Sequence, residues 1–166
     1  GKTTEGIFLN DEHVAYLIED ELYYKNINDE NIDASNPGTK IGSFPGSISN
    51  LRVVRPAGQK DGKVTLLFSA EVYDEDGDFL KVKEHDESPR EKQWEDVKVY
   101  DNIMVRHWDK WNNPRKRSQL FTVELNLQNT DGAQSSWSFA SGGSEFTNLL
   151  KGTKLVTPVP PFGGAD

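Results

Sequence analysis

The side chains best able to do chemistry concentrate in one stretch, residues 100–121, which reads YDNIMVRHWDKWNNPRKRSQLF. Arg106, His107, Trp108, Asp109 and Trp111 fall within six residues, with Asp101 just upstream. An arginine can take a peptide carboxylate or carbonyl through paired hydrogen bonds, and Asp109 or Asp101 could hold a free α-ammonium. Three roles are open to this cluster. Trp108 can plug a gap in the fold while Arg106 pairs with a buried acid. The cluster can face a substrate cavity and gate or orient peptides. It can also form a contact between domains. Consecutive residues on a helix point in different directions, so at most some of them can serve one cavity.

Other chemistries find little support. A hydrolase nucleophile of the G-x-S-x-G type needs a tight strand-to-helix turn. The nearest stretches, GSFPG from Gly42 and SGGSEF from Ser141, fail that spacing, and Ser144 in its glycine context reads as a turn. The acidic run Asp74-Glu75-Asp76-Gly77-Asp78 superficially resembles a calcium loop. Such a loop wants glycine sixth and glutamate twelfth; counted from Asp74, Gly77 is fourth and the twelfth residue is His85. A charged turn is the better reading, with an adventitious cation site as the alternative. The histidines His13, His85 and His107 have no helical metal spacing, and there is no cysteine, so neither a metal nor a cofactor is expected. Only His107 combines aromatic with ionic neighbours in the sequence.

Composition sets the frame. The chain has 166 residues, enough for a sizeable core; 34% are hydrophobic and 28% charged. A net charge of -8 argues against nucleic acid as a partner, because phosphate binding needs cations. Arg115, Lys116 and Arg117 are too short a basic run to change that, and read as a solvated turn before a strand. No apolar run approaches the roughly 20 residues of a membrane span. There is no N-x-Ser/Thr glycan acceptor.

The elements that must position the cluster read as β-structure. Residues 6–9, 13–18 (HVAYLI), 22–27 (LYYKNI) and 41–44 form one round of short strands. In the second of them Val14, Tyr16 and Ile18 fall on one face. A second round takes residues 51–54, 62–72 (GKVTLLFSAEV), 118–127 (SQLFTVELNL), 136–140 and 145–150. HVAYLIED matches KVTLLFSA in character, and ELYYKNI matches SQLFTVEL. A repeated order of short, strong, hairpin and weaker outer strand is that of a β-propeller blade. The expected fold is therefore all-β: about two four-stranded antiparallel blades, residues 1–50 and 51–157, the second interrupted by a charged insertion at 73–117. Within it, Ser88-Pro89-Arg90-Glu91 has the form of a helix start, followed by Trp94, Val97, Asp101, Met104 and Trp108 at helical spacing. Helix is expected only within residues 88–111. Residues 158–166, ending a Pro/Gly-rich tail, read as a linker to a further blade.

The segment V-R-H-W-D-x-W followed by S-x-L-F resembles the non-catalytic propeller of prolyl-oligopeptidase-type serine peptidases, nearest the fungal dipeptidyl-peptidase V branch. The tail P-x-P-P-F-G-G-A resembles the segment before the next blade in that family. The resemblance implies that a separate α/β-hydrolase domain carries the Ser, Asp and His of catalysis. It also implies that this chain walls its cavity and gates peptide substrates, with Asp101, Arg106, His107, Trp108, Asp109 and Trp111 as the gating candidates. The chain itself should be inactive, cut from its parent at both ends. The branch points to secretion, and the lack of cysteine and glycan acceptors to the cytoplasm. A non-enzymatic β-domain binding a protein or glycan is the alternative. Bare blade faces, lined by Val64, Leu66, Phe68, Val14 and Tyr16, are expected to drive self-association.

Overall fold

The computed structural model describes residues 3–29, 36–55, 62–88, 106–107, 110–111, 113, 115–128, 135–140, 142 and 145–157. They form two antiparallel sheets packed face to face, neither closed on itself. The first is a meander of β1 (Thr3–Phe8), β2 (His13–Ile18), β3 (Glu21–Asn26) and β4 (Thr39–Ser43). The second takes β5 (Ile48–Val54), β6 (Lys63–Tyr73), β9 (Lys116–Gln128) and β10 (Ser136–Phe139) in that spatial order, with β11 (Thr147–Asn148) also on β9. A small hairpin of β7 (Arg106–His107) and β8 (Lys110–Trp111) lies between β6 and β9 in sequence. The all-β expectation holds.

Alternation decides which side chains meet between the sheets. In β6, Val64, Leu66, Phe68, Ala70 and Val72 point inward; in β9, Phe121, Val123 and Leu125 do. From the first sheet come Ala15, Leu17, Leu22 and Tyr24, with Phe44 just after β4. Six rings, Phe44, Phe68, Phe79, Phe121, Phe139 and Phe146, form the centre, adjacent centroids lying 5.2–6.1 Å apart. The buried face of β2 is His13, Ala15 and Leu17, while Val14, Tyr16 and Ile18 face outward. One expectation is corrected here. Val64, Leu66 and Phe68 do not line a bare face, because the first sheet covers them.

The two sheets share a local device. Each opening strand has one extra residue in a left-handed conformation, Glu5 (φ 56) in β1 and Asn50 (φ 56) in β5, at the point where the register shifts. The Glu5 carboxylate accepts the backbone N–H groups of Asn50, at 2.9 Å, and Leu51. One bulge thus satisfies the donors freed by the other, as buried backbone groups require. Arg55 adds a second tie, donating to the carbonyls of Leu9 at 2.6 Å and Phe8 at 3.2 Å.

The expectation that helix is confined to residues 88–111 fails. A 3-10 turn spans Phe79–Lys81 and leads into α1 (Val82–Glu87), both upstream of that window. Asp78 caps the turn, accepting the Leu80 N–H at 3.0 Å, and Phe79 and Val82 enter the core. Ser88 ends the helix: it is extended (φ -68, ψ 144), as a residue preceding proline tends to be, so Ser88-Pro89 is a stop signal. At the far end of the window, Arg106–His107 and Lys110–Trp111 are paired strands. The spaced residues Trp94, Val97, Asp101, Met104 and Trp108 lie outside the described residues.

Candidate functional site

The insertion is built on a stem. It leaves the second sheet after Tyr73 and returns at Arg115, and the Asp74 N–H donates to the Arg115 carbonyl at 2.9 Å. β6 and β9 run in continuous register down to Tyr73 opposite Lys116, so both ends of the insertion sit on the longest strand pair among the described residues. The Asn113 side chain accepts the Arg115 N–H at 3.0 Å, turning the chain back into β9.

Electrostatics closes this stem. Arg115 pairs with Glu75 at 2.6 Å, Lys116 with Asp86 at 2.6 Å and Arg117 with Asp74 at 2.6 Å. Asp74 and Glu75 of the acidic run, with Asp86 of α1, and the basic run 115–117 are thus the two halves of one ionic zipper. This corrects the reading of 115–117 as a merely solvated turn. Among the described residues, no group of three or more acidic or histidine side chains could hold a metal ion.

Tyr73 is the centre of the stem, 1% exposed at the end of β6. Its hydroxyl donates to Asp86 at 2.7 Å, the same carboxylate that takes Lys116. Lys116 Nζ lies 4.9 Å and the Arg115 guanidinium 5.7 Å from the ring centroid, both in cation–π range. His85 covers the ring at 4.6 Å and reaches Asp76 at 3.4 Å. His85 therefore has the aromatic and ionic setting that the sequence suggested only for His107. Burial works to raise the Asp76 pKa. The Asp78 backbone N–H, His85 and Lys81 outweigh it and hold the carboxyl below the ordinary range.

A polar network braces the stem from behind. Asn148 donates to the Gly77 carbonyl at 2.8 Å and to Gln119 Oε1 at 2.7 Å. Gln119, buried in β9, turns its amide nitrogen toward the carbonyls of Leu150, Thr153 and Leu155, each at 3.5 Å. Gly77 (φ 60) leaves room for this: a Cβ there would stand 3.2 Å from Asn148 Nδ2.

The structure places the sequence candidates unevenly. Arg106 and His107 pair through their backbones with Trp111 and Lys110 respectively. Asp101, Trp108 and Asp109 lie outside the described residues. Sequence reasoning missed the stem because its charges are some 30–40 positions apart. The available signal was charge complementarity: acids directly after Tyr73 and in α1, and three consecutive bases leading into β9. Chemically the stem is an anchor. It holds the ends of residues 89–114 to a rigid strand pair and presents no nucleophile of its own.

No protein-family model matches the chain, and no solved structure matches it. Curated relatives do. The chain is 32% identical over 118 residues to dipeptidyl-peptidase 5 of Schizosaccharomyces pombe, covering 71% of this chain and 14% of that protein. It is 32% identical over 70 residues to a probable dipeptidyl-peptidase 5 of Aspergillus niger, covering 42% and 9%. It is 28% identical over 131 residues to a probable dipeptidyl-peptidase 5 of Emericella nidulans, covering 78% and 16%. These similarities support a dipeptidyl-peptidase family relation, over a small part of each relative's length.

Proposed function

We propose that this chain is a non-catalytic β-propeller portion of a serine peptidase of the dipeptidyl-peptidase type, in the wider prolyl-oligopeptidase family. It would wall the cavity above an α/β-hydrolase domain and gate peptide entry. The observation that carries the reading is the repeated meander within a region similar to dipeptidyl-peptidase 5. A four-strand antiparallel unit is followed by a second with the same four-strand path plus β11, each opened by the same bulge, with β1 beside β5 and β4 beside β10. Like strands lie beside like, as in successive blades of a propeller. The expected boundary at residue 50 moves back to the start of β5 at Ile48, so residues 1–47 and 48–157 are then the two blades, and 158–166 lead to the next.

In this reading the zipper fixes the insertion to the blade, and Arg106, His107, Trp111 with Asp101, Trp108 and Asp109 face or border the cavity. The 166-residue chain alone should not hydrolyse dipeptidyl or acylaminoacyl reporters. In a longer polypeptide that adds a G-x-S-x-G hydrolase domain, Arg106→Ala and Asp109→Asn should raise KM for dipeptidyl reporters more than they lower kcat. Turnover by the chain alone, abolished by substituting one of its own serines, would overturn the reading. An unchanged KM would assign the cluster to packing instead.

One feature favours the second reading, a binding β-domain. The outer face of the second sheet carries a cleft lined by Thr65, Thr122, Glu124, Glu145 and Thr147, hydroxyls and carboxylates of the kind that hold polar ligands such as glycans. Glycan-array binding lost in Thr122→Val would support it.

A further inference from the structure

We draw no further inference here: the strongest candidate, the cleft on the outer face of the second sheet lined by Thr65, Thr122, Glu124, Glu145 and Thr147, belongs to the binding reading already described, and nothing among the described residues shows what ligand it takes.

Discussion

Phe68→Ala tests whether the two sheets form one cooperative unit. Phe68 is 0% exposed and touches Phe44, Phe79, Phe121 and Phe146, at centroid distances of 5.2, 5.8, 5.9 and 6.1 Å. Those partners come from the end of the first sheet, the start of the insertion, β9 and the segment before β11. Truncating a buried phenylalanine typically costs about 3–5 kcal/mol. Loss of several edge and stacked ring contacts, each worth about 0.5–1.5 kcal/mol, puts this position at the upper end. Against a typical total of about 5–15 kcal/mol, the variant should be close to unfolding at ambient temperature. Urea unfolding followed by far- and near-ultraviolet circular dichroism gives the answer. The expected result is a large fall in midpoint at constant slope, with both signals moving together. Phe68→Leu, which keeps most of the volume, should lose far less. A cost below about 1 kcal/mol, or two separate transitions in the wild type, would refute a single core shared by both sheets.

Asp86→Ala removes the acceptor of the nearly buried Tyr73 hydroxyl and the partner of Lys116, and should cost about 1–3 kcal/mol by chemical denaturation. Added salt should shrink the difference between variant and wild type, since the paired charges are partly exposed. Gly42→Ala places a methyl 2.3 Å from the Phe139 ring between the sheets, and should lower the melting midpoint by the equivalent of about 1–3 kcal/mol. The Asp76 carboxyl titrates below its unfolded value. Its stabilisation is therefore complete above the unfolded carboxylate pKa and is lost as pH falls through the folded one. Asp76→Asn should flatten the acid limb of a melting-temperature profile and leave its neutral limb unchanged in slope.

Strand identity was legible because it rests on local chemistry. The β-branched and aromatic run of β6 and the alternation of β9 need no distant partner to be recognised. Which face of a strand is buried was less legible. In β2 both alternating sets contain large apolar side chains, HVAYLI, and only the position of the second sheet selects His13, Ala15 and Leu17. His13 can take the inner face because Asn10 Oδ1 lies 3.0 Å from its Nδ1 and Tyr24 packs against its ring. The helix before residue 88 was missed for a different reason. Ser88-Pro89 suits either end of a helix, and the decisive start, Asp78 with Phe79 and Val82 three apart, lay within a heavily charged insertion.

The stem explains why such a charged insertion is compatible with a well-packed sheet. Isolated surface ion pairs contribute little, typically 0–1 kcal/mol, because holding two long side chains costs entropy. Here that cost is reduced by the strands themselves. Arg115, Lys116 and Arg117 are consecutive residues entering β9, already fixed by pairing with β6, and Asp74 is fixed by its backbone bond to Arg115. Tyr73 supplies the surface on which Lys116 and His85 rest, so the charges are held by a buried ring as well as by each other. The acids and bases must then be read as a set. Reversing one pair alone, as in Arg117→Glu, should destabilise the stem, and the compensating Asp74→Arg should restore most of the loss. A double variant no better than the single one would show that backbone geometry, not charge, holds the insertion in place.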